Sequence, residues 1–168
     1  MDDALIGILR IIHIVFGAFW VGGVVTTGFF LLPTVKATGP IGGQFVGQLM
    51  ARTHLPTVLT AAGGITVLAG LILYWMKWAG GGFVGPAVYY AIGGAIAIVV
   101  MVLGAAVAKP TATRLAALGQ KIAGQGSPPT GEQNAERGQL MNRLTSLAQI
   151  NAVLLVITIA LMAIGNIY

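Results

Sequence analysis

Residues 10–33 read R-I-I-H-I-V-F-G-A-F-W-V-G-G-V-V-T-T-G-F-F-L-L-P. A helix needs about 20 apolar residues to cross the hydrocarbon of a bilayer, and this run supplies them. His13, one of two histidines in the chain, stands near its start. Gly17 and Trp20 follow at helical spacing on the same face, and Gly22-Gly23 come directly after. A histidine inside a membrane helix is costly, so it marks a candidate functional site.

The composition around this run is that of an integral membrane protein. Of 168 residues, 57% are hydrophobic and only 8% charged, where a soluble domain carries about 25% charged residues. Mean hydropathy is +0.90. The chain contains no cysteine, which removes disulfides and thiolate metal sites from consideration. The N-terminal M-D-D-A-L-I-G-I-L-R begins with two acids and runs into a full span. It lacks the basic start and small-residue cleavage site of a secretory signal, and reads as retained.

Four apolar segments give an all-α fold: a bundle of four transmembrane helices in a single membrane domain. The spans are expected at about 5–32, 45–77, 87–108 and 144–165, with a cytoplasmic helical hairpin at about 110–143. Pro33 should end the first helix. The second should run unbroken from about Gln44 through Arg52 and His54, kinked at Pro56. After Pro110, Leu115, Leu118 and Ile122 recur at helical spacing opposite Arg114 and Lys121. G-Q-G-S-P-P-T is a break, and Thr130 with Gln133 fits the start of the last helix.

The net charge of +5 reports orientation here rather than a nucleic-acid partner. Lys36, Arg52, Lys109, Arg114, Lys121, Arg137 and Arg143 fall in the first and third connections, whereas only Arg10 and Lys77 lie at the other end. That asymmetry puts the two basic connections in the cytoplasm and both termini outside. Trp75, Trp78, Tyr89, Tyr90 and Tyr168 form the expected outer aromatic belt. The sequence also echoes itself. G-Q-L-M-A-R at Gly47 matches G-Q-L-M-N-R at Gly138, and P-T-V-K at Pro33 matches P-T-A-T-R at Pro110. The two halves therefore read as hairpins of one topology, related by an axis along the membrane normal.

Three readings of His13 stand open: an axial ligand to haem b, a copper ligand, or a polar residue bonding a neighbouring helix. Gly17 would give a flat macrocycle room, Trp20 would line its pocket, and Arg10 would pair with a propionate. The alternatives are packing for Trp20, and snorkelling or pairing with Asp2 or Asp3 for Arg10. His54 lies about 20 Å deeper towards the other face, so one iron is out of reach of both histidines of one chain. A homodimer, or a methionine such as Met162, Met50, Met101 or Met141, would complete the coordination. Asp2, Asp3, Glu132 and Glu136 all lie outside the spans, so no carboxylate relay of the kind ion-driven transporters use is present. Nor does any nucleophile–base pair suggest a hydrolase.

His13-x6-Trp20-Val21-Gly22-Gly23 followed by L-L-P resembles the first helix of a group of small bacterial membrane proteins. These comprise the copper-resistance protein D type, unassigned four-helix integral membrane proteins and, more distantly, the HemJ-type protoporphyrinogen oxidases. Arg52-x-His54-L-P-T-V-L-T and K-P-T-A-T-R-L resemble the unassigned branch. The resemblance implies a haem- or metal-handling protein of the bacterial inner membrane with His13, and secondarily His54, as ligands. The L-P-R-L that follows the first helix in HemJ is replaced by Pro33-Thr34-Val35, which points away from protoporphyrinogen oxidation. The expected function is haem b binding in electron transfer, with a quinone or membrane redox protein as partner. The competing expectations are a non-catalytic accessory subunit and a copper or small-solute permease.

Overall fold

The computed structural model describes residues 2–78, 81 and 83–167. All of the regular structure among them is helical. It comprises α1 (Asp2–Thr26), a π turn (Thr27–Leu31), α2 (Leu32–Thr38), α3 (Pro40–Thr53), α4 (Leu55–Trp78) and α5 (Pro86–Leu103). A second π turn (Gly104–Ala108), α6 (Lys109–Gly124) and α7 (Gly131–Gly165) complete the chain. Four helical stretches are long and apolar enough to cross a membrane: Asp3–Thr38, Leu55–Trp78, Pro86–Gly124 and Gly131–Gly165. Tyr168 and the Met50 side chain, both named above, lie outside the described residues.

Two of the expected boundaries move. The first helix does not stop at Pro33. It runs on to Thr38, because the turn before the proline widens: the Leu32 N–H reaches back to the Thr27 carbonyl, five residues rather than four. A proline ring collides with the carbonyl four residues earlier in a regular helix, and a π turn is one way to relieve that collision. The same device precedes Pro110, where the Lys109 N–H bonds the Gly104 carbonyl. The second helix is not continuous either. It breaks at His54, the sole non-glycine residue with positive φ among those described (51°). Leu55 and Pro56 then open α4, with proline in the first turn where its missing N–H is harmless.

Large side chains such as Ile11, Ile14, Leu68 and Trp75 stand more than 60% exposed, the pattern of a protein that faces lipid. Lipid tails are as apolar as leucine, so close packing must hold the helices together. The buried centre is small: Trp20, Ala62, Val67, Ala97, Val100 and Leu155. α1 packs chiefly on α4, and α5 on α7, with α4–α5 and α1–α7 contacts joining the two pairs. At the far end α2 packs on α3 and α6 on α7. Arg114 reaches Glu136 across the α6–α7 contact (2.7 Å). Thr130 caps α7 as expected: its side chain accepts from the Gln133 N–H while Gln133 accepts from the Thr130 N–H.

Candidate functional site

The α1–α4 contact is built by large rings on one helix set against small residues on the other. A Cβ added to Gly63 would lie 2.7 Å from Trp20 Cε2, and one added to Gly70 would lie 2.8 Å from His13 Cε1. Between them Gly17 receives Thr66, whose Cγ2 would stand 3.3 Å from a Cβ there. Further along, Gly23 receives Leu59. Numbers rise on α1 as they fall on α4, so the two helices are antiparallel neighbours along this whole seam.

At the end of the seam nearer the α1 N-terminus, His13 Nδ1 lies 2.8 Å from the Thr66 carbonyl oxygen. A carbonyl only accepts, so Nδ1 carries the proton and donates. In the neutral ring Nε2 then holds the bare lone pair, and no described residue hydrogen-bonds it. Gly70 makes the approach possible, because a side chain there would occupy the ring's place. Thr66 turns its hydroxyl away and donates to the Ala62 carbonyl (2.7 Å), leaving its own carbonyl for the imidazole. A metal-binding histidine is commonly held this way, with the far nitrogen donating to a backbone carbonyl.

The other expected site residues fall as follows. Trp20 is buried (6% exposed) in the central core. Gly17 faces Thr66, so it opens no slot at the α1–α4 seam for a flat ring. Arg10 is exposed one turn before His13. His54 is exposed at the α3–α4 elbow, and the rise from it to Thr66 is about 18 Å along α4. The two histidines are therefore not brought together. Met162 packs against Gly93 of α5, on the other pair of helices. Among the small residues of the spans, Gly63, Gly70 and Gly93 are close-packing sites, whereas a Cβ on Gly64, Gly94 or Gly104 would meet nothing within 4 Å.

No family model, curated protein or solved structure matches this chain. Chemistry must therefore be argued from the donors themselves. Among the described residues no three His, Asp or Glu side chains gather where they could hold an ion. A haem iron, by contrast, already carries four pyrrole nitrogens and asks the protein for one or two axial ligands. His13, with its tautomer set by Thr66, fits one such position. Trp20 takes the packing role weighed for it, and Gly17 receives Thr66 where room for a macrocycle was expected; together they hold α1 at the depth where His13 meets Thr66.

Sequence reasoning missed two participants. Thr66 acts through its backbone, which no side-chain pattern reveals. Asn151 is buried (6% exposed), and its Oδ1 has no hydrogen-bond partner among the described residues. An amide inside the apolar part of the last helix was the available signal for it.

Proposed function

We propose that this chain binds haem b in the bacterial inner membrane, with His13 Nε2 as an axial ligand, and serves electron transfer. The observation that carries the reading is the 2.8 Å contact of His13 Nδ1 with the Thr66 carbonyl. It fixes the proton on the inner nitrogen and leaves the other as a ligand. Bound haem would supply one-electron chemistry in a chain that has no cysteine. Arg10, exposed one turn outward, is placed to neutralise a propionate. His54 is too deep to share the group with His13 of the same chain, so a second ligand would come from a second copy, whose two-fold axis would bring two His13 rings to one depth. A quinone or membrane redox protein is the exchange partner. The resemblance of the first helix to the copper-resistance protein D and HemJ-type group is in keeping with this reading.

In this reading the basic connections face the cytoplasm and both termini face outward, following the distribution of lysine and arginine. The two halves descend from one hairpin. In support, each π turn ends two residues before its proline, Leu31 before Pro33 and Ala108 before Pro110.

One observation favours a second reading, that of an accessory subunit without a cofactor: His13, Gly17 and Trp20 all engage α4, as helix-packing residues would. An absorption spectrum of the purified protein, as isolated and after dithionite, separates the two. Haem binding requires a Soret band with α and β bands on reduction, all lost in His13→Ala while the fold persists. A folded but colourless protein from haem-replete cells would overturn the haem reading in favour of the accessory one.

A further inference from the structure

Besides the glycine turns at Gly39 and Gly85, three backbone irregularities interrupt the chain between α1 and α6: the π turn Thr27–Leu31, the left-handed His54, and the π turn Gly104–Ala108. Their depths can be compared through the helix contacts. A Cβ on Gly28 would meet the backbone of Ala148 at 2.9 Å, so the first π turn lies opposite the stretch Thr145–Gln149 of α7. Gly93 meets Thr158 and Met162, and Gly165 meets Tyr89 and Tyr90. Counting along antiparallel α5 and α7 from these contacts sets Gly104–Ala108 opposite the same stretch of α7. Gly23 meets Leu59, and the same count on α1 and α4 puts His54 level with Gly28 and Phe29. All three irregularities thus share one plane across the bundle. Of the four helical columns, α7 alone passes straight through it, as a single helix from Gly131 to Gly165.

A π turn followed by proline leaves the helix short of a backbone bond, because proline has no N–H to return to the carbonyl before it. A left-handed residue ends the ladder of α3 and starts that of α4 afresh. Such points absorb changes in direction that a regular helix resists. Beside the first of them, Phe29 and residues Gln149, Ile150, Val153 and Leu154 of α7 leave an apolar groove instead of a filled contact. About one turn outward of the plane sits Asn151, buried, with its Oδ1 unpartnered. An amide oxygen left without a hydrogen-bond donor in the interior carries a desolvation penalty. That penalty is lifted once a hydrogen-bond donor reaches it.

We propose that this plane is a hinge: α2–α3 and α6 tilt about the α7 strut, and the opening admits water to the Asn151 amide. The bundle then has a closed arrangement and an open one, and in the open one the Asn151 Oδ1 accepts from water entering at the α2–α3–α6 end. Nothing in this proposal depends on haem.

The absence of native cysteine makes the test direct in proteoliposomes. Asn151→Cys should react with a membrane-impermeant maleimide, while Leu155→Cys, one turn further out and 1% exposed, should not. Replacing both Pro33 and Pro110 by alanine restores the missing N–H groups and should slow labelling of the Asn151→Cys variant at least tenfold. Nitroxides at Gln48→Cys and Gln120→Cys, both exposed, should show two separations that merge into one in the double alanine variant. This second readout leaves Asn151 intact. An unreactive thiol in Asn151→Cys, a labelling rate indifferent to the prolines, or a single narrow α3–α6 separation in the parent protein would each overturn the hinge.

Discussion

Gly70→Ala tests the centre of the α1–α4 seam, and Gly64→Ala on the same helix is its control. A methyl on Gly70 would lie 2.8 Å from His13 Cε1 and 3.0 Å from Nδ1. Comfortable contact between carbons begins near 3.5 Å, so the imidazole must retreat by about 0.7 Å. The ring cannot do so while keeping its 2.8 Å contact with Thr66. Either that hydrogen bond goes or α1 lifts from α4. An interhelical hydrogen bond in a membrane contributes about 0.6 kcal/mol on average and up to about 1.7. Loss of close packing beside it adds a similar amount. A methyl on Gly64 meets nothing within 4 Å, and both variants gain the same helix propensity over glycine. The two should therefore differ by about 2 kcal/mol, with Gly64→Ala the more stable. Equilibrium unfolding in mixed dodecylmaltoside–SDS micelles, followed by tryptophan emission, reads the difference. Equal stabilities, or the reverse order, would mean that Gly70 is not the notch that seats His13.

Gly28→Ala forces a methyl to 2.9 Å from both the carbonyl carbon and oxygen of Ala148; backbone cannot swing aside, and a loss of about 1–3 kcal/mol is expected in the same micelle titration. Trp20→Ala empties the largest side chain of the central core and should cost about 3 kcal/mol or more, read as a lower SDS midpoint by circular dichroism. Thr130→Ala removes the reciprocal cap of α7. Its cost of about 1 kcal/mol should show as faster amide exchange in the first turn after Gly131, with the membrane spans unchanged.

How far the sequence discloses this protein varies along the chain. Hydropathy over about 20 residues is a strong signal with one physical cause, and the four spans follow from it. The Thr130 cap was equally legible, since a threonine three residues before glutamine after a Ser-Pro-Pro break has few other uses. Proline was the point of failure, twice in opposite directions. At Pro33 it suggested an end, but a widened turn lets the helix continue. At Pro56 it suggested a kink inside one helix, but the chain makes a full break two residues earlier and uses the proline to begin again. Proline dictates that something must yield, while packing against α4 and α7 decides what. His13 was found because histidine is rare in such surroundings. Its partner was not, because a backbone carbonyl leaves no letter in the sequence.

The alternation of rings and glycines along α1 and α4 bears on how the protein is made. Sliding the pair by one turn would set Trp20 against Val67 and His13 against Tyr74, or, in the other direction, Trp20 against Leu59. Each slip trades a notch for a bulky side chain, so only one vertical setting lets both rings seat together. Two greasy cylinders leaving a translocon have little else to tell them their relative height. For this hairpin the answer is carried in the first 78 residues, and α1 and α4 can settle correctly before α5 has been synthesised.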